Sequence, residues 1–566
     1  MQKRWLLAER PEGEVVESLR QSLNVSEPIG TLLAQRGIRS FEEARTFFRP
    51  TLDQMHDPFL LRDMDKAVDR LNRAIKEHQK ILIYGDYDVD GTTAVTTVYG
   101  FFKKRYEKLE FYIPDRYKEG YGVSKEGIQY AMDNDFSLII TLDCGIKACE
   151  RVKEAQEVGI DVIICDHHNP GSQLPPALAV LDPKRNDCGY PYDGLSGCGV
   201  GFKLLHAYCL DNEIPLKELY DQMDLLAVSI ASDIVPITGE NRVMAYFGLK
   251  KLNQAPRPGL KALIDLSRSR RDMTISGVVF GIGPRINAAG RMGHAGAAVE
   301  LLLAQSEEEA NQLAGHVDNK NEVRRNFDST TTEEALRMIE EDEATPNTKS
   351  TVLYKEDWHK GVIGIVASRC IEKFYKPTVI LTESNDKVTG SARSVQGFDV
   401  YNAISECADL LDQYGGHMYA AGVTMDVDNV DAFRKRFEEI VSRDITEDQL
   451  TPTVDVDTVI FLDEINFRFY NILSQMGPFG PQNMQPVFVS ENLHAINVKV
   501  LKDQHLKFHV KQDGTDAAYE AIGFGLGDYY DLVKCGMRFH MAYTIEENDF
   551  RGQKSLQLYV KDLKFD

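Results

Sequence analysis

Two short strings carry the chemistry of this chain. Gly85-Asp86-Tyr87-Asp88-Val89-Asp90-Gly91 sets three carboxylates at alternate positions, and Asp166-His167-His168 sets two adjacent imidazoles behind a fourth. Each follows a short apolar run, Ile81–Tyr84 and Asp161-Val-Ile-Ile-Cys165, that reads as a buried strand. Like charges crowded in this way gain nothing unless a cation neutralises them, so the pair reads as a metal site for phosphate chemistry. Oxygen ligands favour Mg²⁺ or Mn²⁺, and an imidazole tilts the preference toward Mn²⁺. A calcium EF-hand begins with the same Asp-x-Asp-x-Asp-Gly, but the position that needs a bidentate Glu is Thr97 here, and the preceding run is strand-like rather than helical. Asp143 ends another apolar run at Thr141-Leu-Asp-Cys-Gly145. Asp233, in Ala231-Ser-Asp-Ile-Val-Pro236, ends a helical pattern, where an acid opposes the helix dipole and a ligand role becomes attractive.

The elements that must position these groups alternate. From Lys80, strand runs at 81–84, 109–113, 138–142, 162–165 and 179–181 are interleaved with helical patterns at 92–104, 124–133, 146–158, 198–210 and 219–232. That rhythm predicts an α/β, doubly wound parallel sheet over residues 77–298, with its ligand beyond the carboxyl ends of the strands. Asp86 to Asp90, then Asp115 and Arg116, then Asp143, then Asp166 to His168 each fall at such an end. Residues 1–76 read as short amphipathic helices without a chemical motif. A polar helical stretch over 299–345 reads as a long connecting helix. Residues 346–445 repeat strand–helix–strand as a smaller α/β unit. Residues 446–566 are mostly β and suit an OB-like barrel, although an SH3-like barrel or an open sheet fits nearly as well.

Composition narrows the class. At roughly 100–200 residues per domain, 566 residues imply three or four. No apolar run approaches the ~20 residues that span a bilayer, and the N-terminus turns charged too soon for a signal peptide. The expectation is a cytoplasmic protein that does not engage a membrane. Nine cysteines without a Cys-x-x-Cys imply reduced thiols. The net charge of −22 argues against a simple nucleic-acid binder. Basic residues do cluster, at Lys103-Lys104-Arg105, at Arg268 with Arg270-Arg271, and at Arg324-Arg325, while acids gather at 333–334 and 340–343. These runs fit either a confined basic channel or solvated helix faces. Gly197-Cys-Gly-Val-Gly201 lacks the spacing of a dinucleotide fingerprint, and no P-loop is present.

Further strings are Ile113-Pro-Asp-Arg-Tyr-Lys-Glu-Gly-Tyr-Gly122, Leu142-Asp-Cys-Gly145, Ala231-Ser-Asp-Ile234, Arg285-Ile-Asn-Ala-Ala-Gly-Arg291, Gly415-Gly-His417 and Gly477-Pro-Phe-Gly-Pro-Gln-Asn483. Taken in order with the two opening strings, they resemble the DHH phosphoesterase superfamily and, within it, the RecJ family of single-strand DNA exonucleases. The likeness covers residues 75 to 490. The resemblance implies two divalent metals, Mn²⁺ or Mg²⁺, held by Asp88, Asp90, Asp143, His167 and Asp233. Asp143 would bridge them, and Asp86 would support or occasionally ligate. The cations would activate water and stabilise the attacking and leaving oxygens. His168 would contact the scissile phosphate in preference to protonating the leaving 3′-oxygen.

Planar bidentate donors suit phosphate, so Arg116, Arg285, Arg291 and Arg393 are the expected phosphate contacts. Ser391 and Arg393, with the backbone of Gly415 and Gly416 and the side chain of His417, are expected to hold a terminal 5′-phosphate. The β unit is expected to stack the strand, with Phe467, Phe469, Phe508 and Tyr529 as candidates. The implied function is a metal-dependent 5′→3′ exonuclease that cuts single-stranded DNA with a free 5′ end into 5′-mononucleotides, in DNA repair and recombination. A helicase or single-strand-binding protein is the expected partner, and a monomer the expected state. Many RecJ-like chains continue beyond the equivalent of Asp566, which puts in doubt any function that resides in such an extension, such as partner docking. Two alternatives stand beside this reading. One is a DHH phosphodiesterase for short oligonucleotides or cyclic dinucleotides, for which the β unit has no use. The other is a non-catalytic DHH scaffold of a replication complex, in which metal ligands would have been lost.

Overall fold

Leu82 and Tyr84 face one side of a sheet and Ile81 and Ile83 the other, and both sides are buried. This is what an uninterrupted apolar run looks like once helices cover both faces. In the computed structural model, which describes residues 3–565 apart from 270, 343–346 and 385, five strands align in parallel. Their spatial order is Leu109–Tyr112, Ile81–Gly85, Leu138–Leu142, Asp161–Cys165, Ala179–Leu181. Helices Met64–Lys76, Val89–Lys103 and Gly197–Asp211 share a core with one face through Leu71, Val95 and Phe202. Helices Lys125–Asp133 and Cys149–Glu157 cover the other through Ile128 and Val152. The strand order reverses between Ile81–Gly85 and Leu138–Leu142, and such a switch point opens a crevice at the carboxyl ends. Arg270 and Glu343, counted among the charge clusters above, lie outside the described residues.

The chain divides into two compact units, Arg45–Glu322 with Gln475–Gln485, and Met1–Ala44 with Val323–Ser474 and Pro486–Asp566. The first holds the parallel sheet. The inserted segment is tied in by Arg242, whose Nη1 donates to Met476 O at 3.0 Å, and by Ile237 N, which donates to Pro481 O at 2.8 Å.

The second unit contains a five-stranded sheet ordered Gln413–His417, Ala420–Met425, Lys387–Arg393, Thr378–Ser384, Thr351–Tyr354, with helix Ile363–Phe374 packed on it. It also contains strands Phe488–Leu501, His505–Gln512, Ala518–Gly523, Gln553–Phe565 and Phe539–Phe550. Each pairs with the next, and the last pairs back onto the first. That ring, with one parallel pair between Ala518–Gly523 and Gln553–Phe565, is a closed OB-like barrel and excludes the open sheet.

Three expectations change in detail. The long helix is Glu307–Glu341 and does not start at 299, because Gly296–Leu303 is a separate helix that ends before Ser306, whose Oγ accepts Glu309 N. The N-terminal segment is not wholly helical. Arg4–Leu7 is a strand parallel to Thr453–Val456, anchored by Trp5 Nε1 donating to Asp562 at 2.7 Å. Phe508 and Phe469, offered above as stacking residues, are buried in the core, and Tyr529 stacks on Phe565. Phe467 remains 43% exposed. All nine cysteines are free, and no helix among the described residues is long and apolar enough to cross a membrane. Truncating a buried Phe costs about 3–5 kcal/mol, whereas a surface change usually stays within about 0.5 kcal/mol. Phe508→Ala is therefore expected to lower the urea midpoint of the barrel strongly, and Phe467→Ala to leave it near wild type.

Candidate metal centre

Five carboxylates and two imidazoles meet at the switch point. The turn after Ile81–Gly85 is forced tight: a Cβ on Gly91 would lie 2.4 Å from the carbonyl oxygen of Asp86. Asp88 caps the helix that follows, with its Oδ1 accepting Gly91 N at 3.0 Å. Asp143 leaves its strand with φ 60°, a left-handed conformation uncommon for a residue with a side chain. Gly197 packs so closely that a Cβ there would sit 2.5 Å from that of Asp143. The ligand-type atoms fall into overlapping triads, Asp86–Asp88–Asp143, Asp90–His167–Asp233 and Asp143–His167–His168, each within 4.8 Å. His167 Nε2 lies 3.1 Å from Asp143, 3.5 Å from Asp233 and 3.8 Å from Asp90.

The residues fit a metal. Asp86 Oδ1, Asp143 Oδ1, Asp233 Oδ2 and both ring nitrogens of His167 are buried with no hydrogen-bond partner. A buried group left unsatisfied costs about 1–3 kcal/mol, and five in one place call for cations. Burial pushes the pKa of Asp86, Asp143 and Asp233 well up, and neighbouring carboxylates push further: Asp88 on Asp86, Asp90 on the other two. Burial, then Asp90, raises Asp88 as well. Burial lowers His167, so its contacts with the acids are not ion pairs and it stands as a neutral ligand.

Asp90 differs from the others. It accepts Gly197 N at 2.6 Å, Cys198 N at 2.9 Å and Ser229 Oγ at 2.7 Å. The glycine-rich string at 197–201 is thus a helix N-terminus, and the anion it receives is the chain's own Asp90.

Asp166, a strand-end acid given no role of its own above, holds the backbone of both histidines and the ring of His168. It accepts Ile146 N at 2.9 Å, His167 N at 2.8 Å, His168 N at 3.2 Å and His168 Nδ1 at 2.7 Å. Burial, the largest single influence, opposes its ionisation, but the His168 hydrogen bond and charge, the Ile146 N–H and His167 together hold Asp166 down at about 2. For His168 burial again opposes charge, and the Asp166 bond raises its pKa. His168 Nε2 then meets Tyr121 Oη at 3.1 Å. The signal for Asp166 lay in its own string; Tyr121 lies in the string 113–122 without an assigned role, and Ser229 lies in none of the strings quoted.

The arginines separate. Arg116 lies over the Tyr87 ring at 4.9 Å. Arg291 ends the helix Gly283–Arg291, where a Cβ on Gly290 would come 2.9 Å from Tyr87 O, so both flank the acidic loop. Arg285 is corrected from phosphate contact to internal tie. Its Nε donates to Asp318 at 2.7 Å, and its two other nitrogens donate to Gly281 O and Leu266 O. In the second unit, cross-strand register sets Gly415 opposite Gly422 and His417 opposite Ala420, and on the far side of that middle strand Gly422 faces Ser391 and Ala420 faces Arg393. Arg393 Nη1 donates to Ser391 Oγ at 3.1 Å, and both crowd Gly364 in the first turn of helix Ile363–Phe374. Gly415 to His417 form an edge strand rather than a free loop, and one side of their backbone has no strand partner among the described residues.

Three family models match: the DHH family N-terminal domain over residues 80–230, the DHHA1 domain over 347–443, and the RecJ OB domain over 456–562. A single-stranded-DNA-specific exonuclease RecJ of Bacillus subtilis is 36% identical over 565 residues, which are 99% of this chain and 70% of that one. The chain belongs to the RecJ family. Among solved structures, RecJ from Thermus thermophilus in complex with Mn²⁺ aligns with a TM-score of 0.84 at 27% identity, covering 99% of this chain and 79% of that one. The Mg²⁺ complex of that RecJ shares the fold, with a TM-score of 0.79 at 24% identity over 99% and 78% of the two chains.

If the clustered carboxylates await cations, Mn²⁺ should raise the melting temperature in a concentration-dependent way. Asp143→Asn removes one mutually repelling charge and tolerates the left-handed backbone. Its metal-free melting point is expected at or above that of wild type, with most of the Mn²⁺ shift lost, by differential scanning fluorimetry.

Proposed function

We propose that this chain is a metal-dependent 5′→3′ exonuclease that hydrolyses single-stranded DNA to 5′-mononucleotides. The observation that carries this reading is the convergence of unpartnered buried carboxylate and imidazole atoms at the sheet's switch point, on a chain of the RecJ family. Asp88, Asp90, Asp143, His167 and Asp233 would hold two divalent ions, with Asp143 shared between the triads and Asp86 beside Asp88. Mn²⁺ or Mg²⁺ bound there supplies Lewis-acid activation of water and positive charge at the attacking and leaving oxygens of an in-line displacement.

The chain's own groups do the rest. The helix N-terminus at Gly197 and the Ser229 hydroxyl fix the Asp90 carboxylate, so it cannot swing away from the pocket. Asp166 holds His168 through Nδ1 and leaves Nε2 on the open side, where it donates to a non-bridging phosphate oxygen in exchange for Tyr121. Arg116 and Arg291 flank the loop as further phosphate donors. Ser391 and Arg393, with the edge strand Gly415–His417, would hold the terminal 5′-phosphate. That contact sets the polarity and makes the product a mononucleotide. The OB barrel would hold the strand upstream of the cut. A helicase or single-strand-binding protein as partner, a monomeric state, a cytoplasmic location and a role in repair and recombination complete the proposal. The two alternatives lack support: a dinucleotide substrate has no use for a closed OB barrel, and a non-catalytic scaffold would not retain every ligand.

End-labelled digestion tests the polarity. A 5′-labelled single strand with Mn²⁺ is expected to release labelled mononucleotide from the first time point. A 3′-labelled strand should release it only at the end, and duplex or chelated samples should release none. Release from the 3′ end first would refute the polarity. Asp143→Ala should abolish release. Arg393→Ala is expected to erase the preference for a 5′-phosphate over a 5′-hydroxyl. Arg285→Ala should leave that preference alone and lower the melting temperature instead.

A further inference from the structure

A second cavity lies outside the metal centre. It has a volume of about 410 Å³ and sits between helix Glu307–Glu341 and the loop that precedes helix Ile363–Phe374. Its aromatic wall is Phe327, Trp358 and His359. Phe327 is 44% exposed, although nothing in the helix repeat asks for a phenylalanine facing water. One face of its ring is covered by the His359 imidazole, nearly parallel (28°) with centroids 4.9 Å apart. Burial lowers the pKa of His359, so this platform is a neutral, flat pair. Trp358 is fixed from behind: its Nε1 donates to Glu334 at 2.9 Å, and Lys355 Nζ donates to the same oxygen at 2.9 Å. The rim therefore carries both an acceptor and a donor beside a π surface.

We infer that this cavity seats one unpaired nucleobase of the substrate strand, stacked on Phe327 with its edge toward Glu334 and Lys355. A base is the ligand whose chemistry matches a flat aromatic wall and mixed polar rim, and stacking tolerates any sequence. Position along the chain supports the same occupant. Three residues separate His359 from Ile363, the start of the helix whose Gly364 abuts Ser391 and Arg393. The inference rests on the single-strand reading above; it adds a base subsite to the phosphate cluster of the same unit.

The test uses the full chain without divalent metal, so that the strand survives. The protein has two tryptophans, and Trp5→Phe leaves Trp358 as the sole reporter. Saturable quenching of its emission by a 5′-phosphorylated oligo-dT is expected, with about tenfold weaker affinity in Phe327→Ala and near wild-type affinity in Phe327→Tyr. Phe327 is substantially exposed, so Phe327→Ala should fold, as checked by circular dichroism. Unchanged affinity in Phe327→Ala, or an oligo-dT that binds without altering Trp358 emission, overturns the inference. So does quenching by free dTMP with none by the strand. If the wild type neither binds the oligonucleotide nor degrades it once Mn²⁺ is added, the function proposed above fails. If it does both while Phe327→Ala matches it, only the base subsite fails.

Discussion

Mutual repulsion among buried acids is the constraint around which this fold is built. Asp86, Asp88, Asp90, Asp143 and Asp233 point into one small volume, where carboxylates outnumber the chain's own cationic groups. The surrounding structure holds them there: a glycine where the loop doubles back on Asp86, a left-handed residue at Asp143, and a glycine at 197 that admits the Asp143 side chain. Each is a local cost with no packing benefit. Such costs persist where a site over-determines the backbone for a purpose other than stability. Divalent cations bound there would convert the repulsion into the adhesive of the site.

The parallel sheet explains why groups so far apart in sequence meet. All strands present their carboxyl ends to the same side, and the reversal in order between Ile81–Gly85 and Leu138–Leu142 prevents one connection from capping the other. Asp86 to Asp90 and Asp143 descend from the two strands that flank the gap, and His167 from the next strand along. Asp233 is delivered by a helix buried all round, Met223–Ser232, whose register is fixed by packing.

Much of this was legible in the sequence, for physical reasons. A buried parallel strand needs a continuous apolar run and a doubly wound unit needs alternation, so the sheet and the end-of-strand acids could be read directly. The acids at 86–90 and the string Asp166-His167-His168 stood out because charge crowding is visible in one dimension, whereas isolated Asp143 and Asp233 joined the ligand set through the family resemblance. Support was not legible. The string 197–201 matched no ligand-binding spacing, because its ligand is Asp90. Arg285 and Arg291 looked equivalent in Arg285-Ile-Asn-Ala-Ala-Gly-Arg291, and only the carbonyls of Leu266 and Gly281, with Asp318, distinguish the internal tie from the residue that flanks the acidic loop. Phe508 and Phe467 likewise share a residue type, and only barrel closure assigns one to the core. The strand at Arg4–Leu7 had no local signal, since its partner lies at Thr453–Val456.

That last pairing bears on how the molecule is made. Once the ribosome has passed Arg4–Leu7, the strand it needs follows 446 residues later (453 − 7 = 446). At ~5–20 residues per second the wait is about 20–90 s. The sheet-bearing unit waits too, because Gln475–Gln485 belongs to it. Neither body is a contiguous stretch of message, so nascent chains must keep a lone edge strand from aggregating until both distant segments have emerged.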